Sequence, residues 1–399
     1  MTTQSMPDLL DLPEPLPLSS LKHWTLDPTY IFLNHGSFGA RPKAIASAQN
    51  RWRDEINARP IEMLDRKLKG LLEEAKSTIG GFLSMTSENF GFVTNATGAV
   101  NAVLRSMRFE PFDEILTTNH VYNAVRNSMR HLIERAGGTY HEVNVSFPIK
   151  SPDQVVEALE GGITQSTKLV IVDHITSPTA IVFPVDRIAT ICKARGIELM
   201  IDGAHAPGML DLDVESIGAT YYTGNLHKWV CAPIGAAFLW VSNEKRENIH
   251  PTTISHNLDQ GLASEFAWQG TRDISPWLSS KEAIEWMADI GWSRVRAHNH
   301  ALAHWARHLL SEKWNVELTS PEDGSMIGSM ATMPVPEALY RAYDDAEQLR
   351  DVLYYEHRIE VPVMEWNERW WLRVSCQMYN TPDDYQKLGD VLTRLVEKA

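Results

Sequence analysis

The sequence predicts an α/β protein. A large domain is built on a mostly parallel sheet with helices on both faces, and a smaller α+β domain follows it. Three observations carry this. Strand-like apolar runs alternate with helical patterns between Asn89 and Val241, which is the pattern of a parallel sheet. One run, KLVIVDHI (Lys168–Ile175), is almost continuously apolar, as a strand covered on both faces must be. After Pro276 the texture changes to long helical stretches and then short strands.

Taken in order, Met1–Ser20 is rich in Pro and Leu (DLLDLPEPLPLSS), which disfavours a helix and predicts an extended arm over 1–25. YIFLNHGSFGARP (Tyr30–Pro42) reads as a short strand running into a Gly-rich turn, where Gly36 and Gly39 allow close backbone approach. Lys43–Leu83 is helical with a break near Arg59–Pro60. NFGFVTN (Asn89–Asn95) is a strand, and a helix starts at Thr97. EILTTN is a strand and Tyr122–Ala136 a helix. Lys168–Ile175, IELMID, ATYYTGN and GAAFLWV supply the remaining strands, with a helix at Val185–Arg195. These make up a large domain over 26–280. Lys281–Trp314 is one long helix or two, leading into a small domain over 281–399. There SMIGSMATM, RIEVPVM and WWLRVSC read as strands, and Asp344–His357 and Pro382–Lys398 as helices.

The 399 residues include 37 basic and 51 acidic side chains, a formal charge of −14. That balance argues against nucleic acid as a partner. The three cysteines, Cys192, Cys231 and Cys376, form no disulfide or metal pattern, and no metal site is expected. There is no basic-then-apolar leader, and no apolar run nears the ~20 residues that span a bilayer. The expectation is a cytoplasmic enzyme without a membrane partner.

Ligands of parallel sheets sit beyond the carboxyl ends of the strands. Asn95, His174, Asp202 and Asn225 fall near those ends. Asp202 closes the apolar run LMID, and Lys228 follows the strand YYTGN within LHKWVCAPIG. A buried lysine amine can condense with an aldehyde, and a buried carboxylate can hold a pyridine nitrogen protonated. The pair therefore points to pyridoxal phosphate and to chemistry at the α-carbon of an amino acid. Thr97 and Gly98 open a helix directly after a strand, a place for a phosphate or for an ordinary N-cap. Tyr122 can stack on a planar ring or simply pack. Ser177 can bond a phenolic oxygen or finish a strand-end turn. His205 can orient Asp202, face substrate, or be a core histidine. GTRD (Gly270–Asp273) reads as an anion-binding turn. Arg373 lies inside an apolar strand and wants a carboxylate, either a substrate α-carboxylate or an internal partner.

These stretches resemble fold-type I pyridoxal-phosphate enzymes of the class V aminotransferase and cysteine desulfurase group, and within it isopenicillin N epimerase-like proteins. The likeness rests on NHGSFG (Asn34–Gly39), TNATGAVN (Thr94–Asn101), DGAHAPG (Asp202–Gly208), HKW (His227–Trp229), GTRDISPW (Gly270–Trp277) and RVSCQMYNT (Arg373–Thr381). The resemblance implies a seven-stranded sheet and Lys228 as the cofactor-bearing lysine. It implies Asp202 as the ring-nitrogen partner, Tyr122 as a stacking group, and Ala96, Thr97 and Gly98 at the phosphate; Tyr122 is also one candidate for the group that returns a proton to the opposite face. Ser177, His205, Asn225 and His227 match other cofactor-contacting positions. Gly270 and Thr271 correspond to a loop that reaches the other subunit's cofactor, implying a homodimer. Arg373, with Asn34 and His35, is implied on the substrate side.

Two departures stand out. Asn225 replaces a frequent Ser, and Arg358–Trp371 lacks the mobile cysteine of desulfurases. Epimerisation of an amino acid or peptide-like amino acid is the expected reaction. C–S β-elimination and transamination share the same machinery.

Overall fold

The computed structural model describes residues 12–399. Its first strand, β1 (Ile31–Phe32), is followed by seven that share one sheet: β2 (Phe90–Val93), β3 (Glu114–Thr118), β4 (Thr139–Val143), β5 (Thr167–Asp173), β6 (Glu198–Asp202), β7 (Tyr221–Asn225) and β8 (Ala237–Val241). Their spatial order is β2-β8-β7-β6-β5-β3-β4. Only β8 runs against its neighbours, so the sheet is mostly parallel, as expected.

The strands of this sheet's interior are buried along nearly their whole length, Lys168 and Glu198 at their starts excepted, because helices cover both faces. In β5, Leu169 and Ile171 join the core formed with the helices Ala96–Ser106 and Asn123–Arg135. Val170 and Val172 point the other way, into the core shared with the helices Leu68–Leu83, Val185–Arg195 and Ser275–Ile290. This is the two-residue period of a strand with an apolar layer on each side. β4 is the strand the sequence reading lacked. It lies at the sheet edge beside β3 alone, and its residues TYHEV are half-buried or exposed. An edge strand needs no apolar run, so it left none.

The C-terminal region holds β9 (Met330–Pro334), β10 (Ile359–Glu360), β11 (Val363–Trp366) and β12 (Arg369–Ser375). β11, β12 and β9 form an antiparallel sheet. Its core is shared with the helices Trp292–Trp314, Ala346–Tyr355 and Pro382–Lys398. β10 pairs instead with β1, parallel, Ile31 opposite Ile359. The connecting segment is two helices, Ser275–Ile290 and Trp292–Trp314. They are separated at Gly291, whose φ of 101° ends the first. Residue 280, the expected domain limit, falls inside that first helix.

Of the N-terminal arm, residues 1–11 lie outside the described residues. The rest packs on its own chain. Leu16 and Leu21 flank buried Trp24 against Met287, Ile290 and Val295. The His298 ring nitrogen Nδ1 lies 3.1 Å from the Glu14 carbonyl. Among the described residues no helix is long and apolar enough to cross a membrane.

Candidate active site

The carboxyl ends of β2, β5, β6 and β7 surround a cavity of about 560 Å³. A groove of about 810 Å³ lies elsewhere, against the helix Leu68–Leu83. The smaller cavity is the one that contains Lys228, Asp202, Asp173 and His205.

Lys228 sits in the loop between β7 and β8. Its Nζ is 3.2 Å from His205 Nε2. Burial, then the Arg373 charge, lowers the amine's pKa to about 7, while Asp202 and Asp173 oppose the shift. The residue retains some accessible surface because it faces the cavity; the packing around the amine is what removes its solvation. His205 is held neutral by burial and by Lys228, well below the usual histidine range. Its Nδ1 is buried without a partner among the described residues. Asp202 closes β6 and is 3% exposed. Its Oδ1 accepts the Ala204 N–H at 2.9 Å, and burial raises its pKa.

The helix after β2 begins at Ala96, one residue earlier than the sequence reading placed it. Asn95, not Thr97, is its N-cap, accepting the Gly98 N–H at 2.8 Å. Asn225 Oδ1 accepts the Ala96 N–H at 2.9 Å, tying the end of β7 to the helix start. With those two groups occupied, Thr97 and its hydroxyl are left at the cavity wall. Tyr122 is the N-cap of the next helix, Asn123–Arg135, and lines the cavity with 45% of its surface exposed. His227 lines it too; its Nδ1–H donates to the Ala236 carbonyl at 3.1 Å.

Arg373, on β12, does not line the cavity itself but stands beside it, behind the lining residues Ser37 and Ser177, and is 4% exposed. Its guanidinium donates to the Ser177 carbonyl, to Ser177 Oγ at 3.2 Å and to Ser37 Oγ at 3.3 Å. Nε has no partner, and among the described residues no carboxylate pairs with it. The internal ion pair is therefore absent. Burial pulls this guanidinium down to about 10. A Cβ at Gly36 would lie 2.5 Å from Met330 Sδ and 3.5 Å from the guanidinium, so glycine keeps that corner open.

Several expected residues stand apart from the cavity. His35 is fully buried behind Lys228: its Nδ1 accepts the Ala40 N–H at 3.2 Å and its Nε2–H donates to the Lys228 carbonyl at 3.0 Å. Asn34 is engaged at both ends, donating to Glu360 at 2.8 Å and accepting from Ser37 at 2.5 Å. Both brace the site without lining it. Gly270 and Thr271 do not reach the cavity of their own chain; Thr271 borders the larger groove. Conversely Ser37, Phe38, Ile234 and Asp173 line the cavity and were not singled out. Asp173 had a signal: it ends an apolar run just as Asp202 does.

The donor set fits pyridoxal phosphate. Asp202 is a buried carboxylate with no cation paired to it among the described residues, as a ring nitrogen needs. Lys228 is an amine of lowered basicity, and Thr97 stands at a helix start suited to a phosphate.

Fold and site together define a pyridoxal-phosphate enzyme of the α/β class. The aminotransferase class-V family model matches residues 40–388, and the chain belongs to that family. Isopenicillin N epimerase of Streptomyces clavuligerus is 30% identical, covering 93% of this chain and 96% of that one. L-cysteine desulfhydrase of Arabidopsis thaliana is also 30% identical, covering 92% and 87%. Among solved structures, a cysteine desulfurase from Thermococcus onnurineus NA1 superposes with a TM-score of 0.82 at 18% identity, over 97% of this chain and all of that one.

Proposed function

We propose that the protein epimerises an amino acid, or a peptide-like amino acid, at its α-carbon with pyridoxal phosphate. The observation that carries this reading is Arg373, a buried guanidinium without a carboxylate partner beside the cavity of Lys228. Held in that cavity, pyridoxal phosphate would supply an electron sink for charge developing at the α-carbon.

The chain does the rest. Arg373 takes the substrate α-carboxylate in its planar fork and fixes the orientation of the α-carbon. Lys228 accepts the α-proton on Nζ, with a pKa of about 7 suited to both taking and releasing it. His205 Nε2 steadies that amine. Tyr122, reaching the cavity from a different element, returns a proton to the other face. Asp202 would hold the charge of the ring nitrogen. Ala96 and Thr97, which line the cavity at the helix start, would take the phosphate, with Ser177, Asn225 and His227 nearer the ring; Gly98, expected there too, has its N–H committed to Asn95. Gly270 and Thr271 serve the cavity of a second subunit, so the working unit is a homodimer.

C–S β-elimination is the second reading. It is favoured by the desulfhydrase relative, which is as similar as the epimerase. A persulfide route is not part of it, because Arg358–Trp371 contains no cysteine. The test is incubation in heavy water with isopenicillin N, aliphatic L-amino acids and S-substituted cysteines, followed by chiral chromatography and a keto-acid assay. Epimerisation gives inverted product carrying deuterium at the α-carbon. Keto acid from S-substituted cysteines, with no inversion of any substrate, replaces the epimerase reading by the lyase.

A further inference from the structure

A second carboxyl group shares the cavity with Asp202. Asp173 is the last residue of β5, and its register partner on the neighbouring strand is Asp202, the last of β6. Paired residues of parallel strands point to the same face, and the strands lie about 4.8 Å apart. Both side chains are buried, 4% and 3% exposed, and both line the cavity. Asp173 Oδ2 has no hydrogen-bond partner among the described residues.

Two carboxylates this close and this buried cannot both ionise unless cations surround them. Four groups face Asp173 from the elements around it. Asp202 stands on β6, Lys228 follows β7, and Arg126 and the Tyr122 N–H come from the helix Asn123–Arg135 and its cap. Arg126 is already committed to Glu142 at 2.8 Å. The Lys228 amine, its pKa lowered to about 7, is only partly charged at neutral pH. Besides the place a ring nitrogen would take, that leaves less than one full positive charge for two acids. The two acids are not equivalent. Each accepts one backbone N–H, Asp202 from Ala204 and Asp173 from Tyr122, but Asp173 alone also buries a second oxygen, Oδ2, with no partner among the described residues, which disfavours a charge there.

We propose that Asp173 is a neutral member of the ring-nitrogen site. It is a carboxylic acid that keeps its proton at neutral pH, so that the pair's single negative charge resides on Asp202. The proposal deepens the pyridoxal-phosphate reading above and rests on it for the meaning of that charge. Asp173 acts through Asp202 and is a positioning residue. A site with two charged acids would hold the ring nitrogen but would repel the substrate's carboxylate; a site with one does only the first. Burial, then the Asp202 charge, raises the Asp173 carboxyl well above the usual carboxylate range, in line with the geometry.

The sign of the pH effect follows. With its folded pKa raised, Asp173 binds a proton in the folded state that it loses when unfolded. The protein therefore loses stability as pH rises from the unfolded pKa, about 3.9, through the folded one. Asp173→Asn keeps the shape and removes this loss. Denaturant unfolding of wild type and variant should show the ratio of their unfolding constants rising about tenfold per pH unit within that window. A ratio independent of pH overturns the proposal.

Infrared spectroscopy at neutral pH gives a readout that stability alone does not. The wild type should show the carbonyl stretch of a protonated carboxylic acid, shifted by ¹³C-aspartate and missing from Asp173→Asn. If the asparagine variant does not fold, Asp173→Ser serves for the same comparison. A band unchanged in the variant, or no band in the wild type, also overturns it. Both measurements are made on the holoprotein and repeated after cofactor removal. Failure of the cofactor reading would instead appear as borohydride labelling away from Lys228, with the carboxyl band intact.

Discussion

At Lys228 opposing influences meet: burial and Arg373 lower the amine's pKa to about 7, while the Asp202 charge pulls it upward. The folded state therefore binds fewer protons than the unfolded chain between about 7 and the ordinary 10.5, and this contribution to stability improves as pH rises through that window. In cofactor-free protein, Lys228→Met should be more stable than wild type below neutrality. The advantage should vanish by about pH 10.5, as measured by denaturant midpoints. Borohydride reduction of the holoprotein should fix the cofactor to Lys228, and Lys228→Ala should abolish the adduct; mass spectrometry finding it on another lysine rejects the assignment. Removing a charge-assisted bidentate contact costs about 1.5–3 kcal/mol. Arg373→Ala should then weaken amino-acid binding by roughly 10- to 100-fold and affect amino-acid amides far less. Equal losses for acid and amide would mean that Arg373 braces Ser37 and Ser177 rather than substrate.

The elements show what can be read from a chain and what cannot. Val185–Arg195 and Pro382–Lys398 match their expected bounds because each has a clear stop or start: Gly196 with φ 69° after the first, Thr381 capping the second ahead of a proline. The helix after β2 was placed one residue late because Asn95 and Thr97 are both good caps by type, and only the backbone decides. Gly39 is another position that local sequence leaves open. It has φ 74°, and a Cβ there would lie 2.1 Å from the His227 carbonyl oxygen. Gly39→Ala must push the loop that carries Lys228. It should lower the melting temperature and release cofactor on dialysis, whereas Gly81→Ala, with nothing within 4 Å of the added carbon, should do neither. The hairpin of β11 and β12 turns at Asn367 and Glu368, both left-handed, as a tight two-residue turn requires. Its Trp366 packs tilted against His120, ring centroids 4.8 Å apart, and donates to the Asn119 carbonyl at 3.3 Å, just before Tyr122.

At the scale of the whole molecule, the site is assembled from residues as far apart as Ser37 and Arg373. The strand ends that hold Asp202 and Asn225 were legible because apolar runs announce where strands stop. The facing of single side chains was not, since His35 and Asp173 differ in role only through what packs around them. The proposed homodimer makes a prediction at this scale. Thr271→Ala should weaken cofactor retention without unfolding the subunit, because the affected cavity belongs to the partner. Sedimentation showing a fully active monomer at assay concentration would exclude that arrangement.

The parallel pair of β1 and β10 sets an order on events during synthesis. Ile31 leaves the ribosome early, but the strand it pairs with, at Ile359, is made some 328 residues later. At translation speeds of about 5–20 residues per second, that is a wait of roughly 15–65 s. Through that interval the seven-stranded sheet can form while Leu33, which belongs to the C-terminal core, has nothing to cover it. The segment that braces Lys228 through His35 is thus fixed last, by the arrival of the chain's final hundred residues. A nascent chain stalled before Ile359 should hold its sheet yet bind no cofactor.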